Sequence, residues 1–393
     1  MSITSASLLT KLMDVVRAPY KRRSYHLSRP VTRPLSSMSS PVMASSNINS
    51  QVPKDDFKIL RTVQEVRQFS KETGELSQNI GLVPTMGALH AGHLSLVREA
   101  ANENENIVVS IYVNPTQFGV NEDLDAYPRT WDSDLSQLRN LNDDLVASGY
   151  HGRITAVFAP TTKTMYPTLP PSSEIDGDGS FVIITPLGKL LEGKSRPVFF
   201  RGVATVCMKL FNIVKPTRVY FGQKDVQQTV VIKRLVDDFH LDLTVRILPT
   251  EREHDGLAMS SRNVYLGARR RAAAVLVPKL LQIAETQYLQ NGKRTREDII
   301  RPAQAYAMKQ IAGELQLPPD MQTIMEVEYI SLADPATMEE VDVVDVNKGA
   351  ILSAALRMLP LEVIKDGEDT GENDGSKRLV RLIDNVILPP LQD

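Results

Sequence analysis

The chain has 393 residues, more than one ordinary hydrophobic core accommodates, so two domains are expected. Its formal net charge of −2 argues against a general nucleic-acid binder, and no apolar run approaches the roughly 20 residues of a membrane-spanning helix. The single cysteine, Cys207, excludes an internal disulfide and is typical of a reducing compartment.

Residues 1–52 differ in composition from the rest of the chain. Seven lysines and arginines stand against one acid, Asp14, and serine is abundant. This composition is typical of a mitochondrial transit peptide, and an unstructured extension without a role explains it equally well. The segment is therefore left outside the fold, and the location stays open between mitochondrion and cytoplasm.

Short apolar runs alternate with amphipathic stretches over residues 53–250. Strands are expected at 80–83, 107–113, 156–158, 181–185, 218–221 and 243–248, and helices at 63–73, 90–102, 131–141, 202–214 and 226–239. This alternation predicts an α/β fold, a Rossmann-like, mostly parallel sheet with helices on both faces. The segments 142–153 and 170–180 are expected to be a surface loop and a turn-rich linker.

Residues 251–393 follow a different pattern. Two long helices are expected at 268–290 and 296–315, the second capped by Thr295, followed by strands at 325–332, 350–358 and 379–388. An acidic segment at 366–375 is predicted to be an exposed hairpin loop. The sequence thus indicates a smaller α+β C-terminal domain, which could act as a lid over the first.

The stretch Pro84-Thr-Met-Gly-Ala-Leu-His90-Ala-Gly-His93 runs from a strand end through a glycine turn into a helix. The first N–H groups of a helix are unpaired and its macrodipole is positive there, so the turn favours an anion. His90 and His93 are three residues apart and share one face. On spacing alone they are polar caps as readily as functional groups. Zinc is not indicated, because no further ligand motif accompanies them.

Three other polar clusters follow the expected strands 107–113, 218–221 and 243–248. They are Asn114-Pro-Thr-Gln117, then Gly222-Gln-Lys224-Asp225-Val-Gln-Gln228, and then Asp255-Gly-Leu-Ala-Met259-Ser-Ser-Arg262. Since ligands of parallel sheets bind beyond the carboxyl ends of the strands, these clusters are expected around one crevice. Each alone is also consistent with an ordinary polar loop.

The run from Gly188 to Ser195 satisfies the phosphate-binding pattern G-x-x-x-x-G-K-S. Its intervening residues are bulky, and Pro197 follows where the helix of such a loop should already be running. We interpret this match as coincidence. A P-loop kinase nevertheless remains an alternative.

Taken in order, these motifs resemble those of the pantothenate synthetase (pantoate–β-alanine ligase) family, in the nucleotidyltransferase superfamily with the H-x-G-H signature. The resemblance covers about residues 57–393 and includes Leu191 to Pro197 and Arg381 to Asn385. It implies ATP-dependent condensation of pantoate with β-alanine through a pantoyl adenylate, with release of pyrophosphate and AMP. It also implies Mg²⁺, a homodimer, and no nucleic-acid or membrane partner.

The resemblance also assigns roles to residues. His93 and His90, with Lys224 and Arg262, take the catalytic positions, and His93 is the proton-donor position. Pantoate and β-alanine contacts fall on Gln117, Gln228, Asn114 and Arg196, and Asp132 and Asp134 are weak metal candidates. The ATP positions are Met86, Gly87, Ala88, Leu89, His90, Ala91, Gly92, His93, Gly222, Gln223, Lys224, Asp225, Glu251, Met259, Ser260, Ser261 and Arg262.

One departure accompanies the resemblance. Val198-Phe199 stands where the family has Gly-His, which leaves the part of this turn in binding the acid or the amine open. Three rivals are another adenylyltransferase or class I aminoacyl-tRNA synthetase, the P-loop kinase, and a non-catalytic binding protein on the same fold.

Overall fold

The computed structural model describes residues 57–391 apart from positions 77, 121, 169, 175–176 and 373–374. The transit-like composition of residues 1–52 therefore concerns a segment outside the described residues. Within the described residues, no helix combines the length and apolar character that crossing a bilayer requires.

The first sheet has six strands, all parallel, in the order β1-β4-β3-β2-β5-β6. The strands are β1 (Lys58–Leu60), β2 (Ile80–Thr85), β3 (Asn106–Ile111), β4 (Arg153–Phe158), β5 (Arg218–Gly222) and β6 (Thr244–Leu248). β2 and β3 are buried almost throughout, as central strands covered on both faces must be. The predicted α/β fold class is confirmed.

The helices connect these strands and continue into the C-terminal part. They are α1 (Val63–Glu75), α2 (Ala91–Glu103), α3 (Trp131–Ala147), α4 (Thr162–Met165), α5 (Glu192–Ser195), α6 (Phe199–Val214), α7 (Val226–Asp238), α8 (Gly267–Ala273), α9 (Leu276–Leu289) and α10 (Arg296–Glu314). Thr62 caps α1 in a reciprocal pair with Glu65, and Thr295 caps α10 as predicted.

A second, antiparallel sheet follows, with β7 (Met325–Ala333), β8 (Ala350–Met358) and β9 (Val380–Leu388) in that order. It packs with α9 and α10 around its own apolar cluster, which includes Leu280, Ile299 and Leu352. Ala333 and Ile351 of this sheet also belong to the core of the first sheet. The predicted smaller α+β part is therefore present, and it is packed onto the first.

Four predictions for individual segments differ from the structure. The run 181–185 is not a strand: the Val182 N–H donates to Thr205 Oγ1 at 2.9 Å, and the Phe181 ring lies 4.0 Å from the Arg201 guanidinium. Both contacts are with α6, and the segment does not pair with the sheet. The expected loop 142–153 begins inside α3, because Leu141 and Leu145 continue that helix's buried face.

The single helix expected at 268–290 is in fact two, α8 and α9. Pro278 lies in the first turn of α9, where its missing N–H costs nothing. The loop 366–375 is only partly exposed: the Ala268 N–H donates to Asp369 O at 3.1 Å, and Gly375 is buried. The edge strand β1, only three residues long, had no sequence pattern to reveal it.

Gly202 allows α6 to approach the polar segment after β3. A Cβ at this position would lie 2.4 Å from Thr116 O and 2.5 Å from Gln117 N, both backbone atoms. The segment that carries Gln117 is therefore packed directly against the helix backbone.

We expect Gly202→Ala to destabilise the fold by about 1–3 kcal/mol, because the methyl group overpacks two backbones that cannot both yield. The measurement is urea unfolding. The matched control is Gly313→Ala in α10, where nothing lies within 4 Å of the added Cβ; there we expect about 0.5 kcal/mol of added stability. Equal effects at the two positions would contradict the packing argument.

Candidate active site

A crevice of about 960 Å³ lies at the carboxyl ends of the parallel strands. Most residues predicted for the site line it, namely Met86, His90, Gly92, His93, Asn114, Gln117, Arg196, Gly222, Lys224, Asp225, Gln228, Glu251, Met259, Ser260, Ser261 and Arg262. Gly87, Ala88, Leu89, Ala91 and Gln223 do not line it and contribute backbone around it. The four motifs, far apart in sequence, therefore meet in one place.

The two histidines lie with their ring centroids 4.1 Å apart. His90 is the N-cap of α2, and its Nδ1 accepts from the Gly92 N–H at 3.2 Å. In the neutral ring the proton is then on Nε2, which can donate to a ligand. A Cβ on Gly92 would lie 2.9 Å from His90 Cε1, so only glycine fits beneath the ring.

Both histidines are held neutral. Burial, together with the charge of Lys224, lowers the pKa of His90 to about 4. Burial, the neighbouring His90 and Lys224 lower the pKa of His93 to about 3. Desolvation is the largest cause at both rings. His93 Nδ1 is buried and has no hydrogen-bond partner among the described residues.

Asp134 holds the turn between β2 and α2. Its carboxylate accepts from the Ala88 N–H at 3.0 Å, the Leu89 N–H at 2.8 Å and the Thr130 hydroxyl at 3.0 Å, and the residue is 1% exposed. Asp134 thus supports the turn that positions His90. The structure contradicts the choice of Asp134 as a metal candidate, because both of its carboxylate oxygens accept protein hydrogen bonds and the residue does not line the crevice. Asp132 is exposed and also lies outside the crevice.

Lys224 projects from a 3₁₀ turn between β5 and α7. Its side chain is 21% exposed, and Nζ lies 3.7 Å from Asp225 Oδ1. The two glutamines that follow have separate surroundings. Gln227 is buried and bonds to the backbone of Leu187 and Leu190, whereas Gln228 lines the crevice.

Asn114 and Gln117 follow the end of β3. Asn114 is buried, and its amide donates to Gln117 Oε1 and to Gly202 O, each at 3.1 Å. Its own oxygen accepts from Thr116 and Tyr166. Asn114 is therefore fully engaged within the fold. Within the part of the chain that the structure describes, the one partner of Gln117 Nε2 is the Met86 sulfur at 3.0 Å, which is a weak acceptor.

Two arginines of the crevice are paired with adjacent acids. Arg262 makes two hydrogen bonds of 2.9 Å to Asp123, and Arg196 pairs with Glu122. Burial alone would raise the pKa of Asp123, but the Arg262 guanidinium lowers it below its usual value. Neither acid was singled out as an arginine partner from the sequence, because nothing local indicates which cation folds against an exposed-looking acidic run.

The position of the family's histidine is occupied by an aromatic ring. Phe199 is the first residue of α6 and lines the crevice, and the Arg196 guanidinium lies 3.9 Å from its ring centroid. The ring cannot bond to a ligand through an imidazole nitrogen, but it stacks on the arginine.

The segment from Gly188 to Ser195 is not a phosphate cradle. A Cβ on Gly193 would lie 2.1 Å from Gly188 O, so no space opens between the two glycines. The N–H groups of Gly193 and Lys194 donate to Leu190 O and Leu191 O. Lys194 is exposed and lies outside the crevice.

A parallel α/β sheet with two histidines at the start of the helix after a glycine turn defines the class of nucleotidyltransferases with the H-x-G-H motif. The family model described as pantoate-beta-alanine ligase matches residues 58–387. The chain belongs to the pantoate–β-alanine ligase family.

Relatives named pantothenate synthetase support this membership. The protein from Chloroflexus aurantiacus is 44% identical over 316 residues, covering 80% of this chain and 99% of its own. The protein from Thermotoga petrophila is 44% identical over 289 residues, covering 74% and 92%.

Solved structures agree. A pantothenate synthetase from Thermus thermophilus matches with a TM-score of 0.66 and 33% identity, covering 85% of this chain and all of that one. The Francisella tularensis pantoate-beta-alanine ligase, in complex with beta-gamma ATP and beta-alanine, matches with a TM-score of 0.57 and 28% identity, covering 84% and 98%.

The neutral histidines predict how stability depends on pH. In the unfolded chain His90 and His93 become protonated near the ordinary histidine pKa of 6.5. In the folded chain their pKa values are lowered to about 4 and about 3, so they stay neutral down to that pH. The free energy of unfolding therefore falls as pH drops from about 6.5 toward 4. We expect His93→Asn to make this fall shallower in urea unfolding at a series of pH values.

The control is Gln228→Asn, which replaces a side chain of the same crevice without removing a titratable group and should leave the slope as in the unmodified chain. Identical slopes for His93→Asn and the unmodified chain would show that His93 is not held neutral.

Proposed function

We propose that this chain condenses pantoate with β-alanine at the expense of ATP, with release of pyrophosphate and AMP. The observation that carries the proposal is the convergence of His93, Lys224 and Ser261, from three separate loops, on one crevice. Family membership over residues 58–387 supplies the reaction.

In the first step, a carboxylate oxygen of pantoate attacks the α-phosphorus of ATP, and the bond to the bridging oxygen of pyrophosphate breaks. Negative charge accumulates on the phosphate oxygens, so catalysis depends on donors already in position. His90 and His93 supply neutral N–H donors, and Lys224 supplies a positive charge. Their neutrality at physiological pH follows from their low pKa values, of about 4 and about 3.

Arg262 is proposed to bind the departing pyrophosphate, together with Ser260 and Ser261. Since the Arg262 guanidinium is paired with the Asp123 carboxylate, binding a phosphate requires Arg262 to exchange that carboxylate for the phosphate. The Ser261 hydroxyl lies 3.1 Å from the Tyr127 hydroxyl, which ties the same loop to the segment that carries Asp123.

In the second step, the amine of β-alanine attacks the acyl carbon of pantoyl adenylate, the bond to the phosphate oxygen breaks, and AMP leaves. Gln117 and Gln228 are proposed to bind pantoate, since both line the crevice and Gln117 Nε2 has only a weak partner. We propose that Asn114 orients Gln117. Arg196, stacked on Phe199, is proposed to attract a carboxylate.

Mg²⁺ is proposed to accompany ATP. Among the described residues, no cluster of three or more His, Cys, Asp or Glu side chains could hold a metal ion. That fits Mg²⁺, which is commonly held by one or two carboxylates together with substrate phosphates and water. Asp225, in the crevice beside Lys224, is the candidate carboxylate. When bound, the ion neutralises phosphate charge.

We propose a division into residues 53–250, which bind ATP and pantoate, and residues 251–393, which cover the crevice. Arg378, Val380 and Arg381 of the C-terminal part line it. Such a cover keeps water away from the reactive acyl adenylate. We further propose a homodimer, testable by light scattering, and either mitochondrial import or cytoplasmic retention, distinguishable by imaging the full chain fused to a fluorescent protein.

The test of function is incubation with ATP, Mg²⁺, pantoate and β-alanine, followed by mass spectrometry. We expect AMP and pantothenate in equal amounts, and ATP–pyrophosphate exchange that requires pantoate. Exchange driven by an amino acid would indicate a tRNA synthetase, and ATP binding without AMP formation would indicate a binding protein.

Lys224→Met is expected to lower kcat by roughly 10²–10³-fold, because it removes the positive charge aimed at the phosphates. The matched control is Lys194→Met in the Gly188–Ser195 run, whose lysine is exposed outside the crevice. It should retain activity within about twofold, as surface substitutions usually do. The reverse pattern in the kinetic assay would favour the P-loop kinase.

A further inference from the structure

Strand β9 contacts three segments outside its own sheet through polar side chains. Arg381 pairs with Glu192 of α5, and Tyr329 of β7, on the far side of β8, donates to the same carboxylate. Asp384 accepts from Arg252 at 2.6 and 3.0 Å. The third residue, Asn385, contacts the turn that carries Lys224.

Asn385 is 1% exposed, and its whole amide is used. Nδ2 donates to Gln223 O and to Lys224 O, both at 2.9 Å. Oδ1 accepts from Gln223 Nε2 at 3.2 Å. One side chain thus fixes two consecutive carbonyl groups of a turn that precedes it by more than 160 residues.

The turn needs such an external partner. Gln223, Lys224 and Asp225 form a single 3₁₀ turn between β5 and α7. Among the described residues, no side-chain capping bond forms at Gly222, which begins the turn, or at Asp225, which begins α7. The strand ladder ends at Gly222. The direction in which Lys224 leaves the backbone therefore depends on what holds these carbonyl groups.

We propose that Asn385 is a positioning residue for ATP, acting through the backbone of Lys224. The C-terminal sheet then contributes to nucleotide binding without supplying a group that touches the nucleotide. This inference rests on the proposed function, since it assumes that Lys224 binds ATP phosphate.

The test compares steady-state kinetics of Asn385→Ala and Asn385→Asp with the unmodified chain. Asn385→Asp keeps the shape but replaces the donor with a charged acceptor facing two carbonyl groups. We expect kcat/KM for ATP to fall on the order of 10–100-fold in both variants, as misplaced catalytic groups do. KM for pantoate and for β-alanine should stay within about twofold.

The matched control is Ser353→Ala. Ser353 pairs with Asn385 across β8 and β9 and is also buried, but no described residue bonds to its hydroxyl. It should leave kcat/KM for ATP unchanged. A merely structural role for Asn385 would instead lower the melting temperature while leaving both kcat and KM for ATP unchanged at temperatures where the variant is folded, and that result would overturn the proposal.

A double-mutant cycle with Gln223→Met separates indirect from direct action. If Gln223 acts by orienting the Asn385 amide, the single variant Gln223→Met has a lower kcat/KM for ATP than the unmodified chain. The same substitution then causes no further loss in the Asn385→Ala background. Independent, additive losses would overturn that link. If Asn385→Ala fails to fold, Gln223→Met still tests the proposal, because it leaves the buried asparagine in place. An unchanged kcat/KM for ATP in Gln223→Met would then overturn the proposal.

Failure of the proposed function is read separately. If the unmodified chain makes no pantothenate, the function is wrong. In that case titration calorimetry with a non-hydrolysable ATP analogue still decides the inference: equal affinity of the unmodified chain and Asn385→Ala would overturn it.

Discussion

The parallel arrangement of the first sheet is the constraint on which the site depends. Because all six strands run in one direction, the loops after β2, β3, β5 and β6 emerge at one edge. Residues separated by up to about 170 positions therefore share a crevice without any direct interaction between their segments being needed. Each loop then needs only a local partner to fix its conformation, as Asp134 does for the turn before α2 and Gly202 for the segment before Gln117.

The surroundings of the charged groups follow from this enclosure. Burial keeps His90 and His93 neutral, so they present uncharged imidazoles to the crevice. Positive charge comes from lysine and arginine, and two of the arginines are already balanced by Glu122 and Asp123. The crevice thus combines neutral imidazoles with arginine–carboxylate ion pairs whose charges balance each other.

Much of this could be predicted from the sequence, because the apolar runs of β2, β3 and β5 and the strand-end motifs are local signals. The failures have local causes too. The run 181–185 has the composition of a strand, but its partner is the helix side chain Thr205. The role of Asp134 depends on two N–H groups more than 40 residues earlier, and that of Asn385 on carbonyl groups more than 160 residues earlier. No spacing rule reveals such pairs.

The start of α3 has one more consequence. Trp131, the first residue of that helix and the only tryptophan in the chain, lies three residues before Asp134, with the Arg61 guanidinium 4.5 Å from its ring. Tryptophan fluorescence, excited at the red edge of protein absorption, therefore comes from Trp131 alone. Trp131 lies on the same helix as Asp134, which holds the turn before the histidines. The molecule thus carries its own optical reporter of that turn, with no label attached.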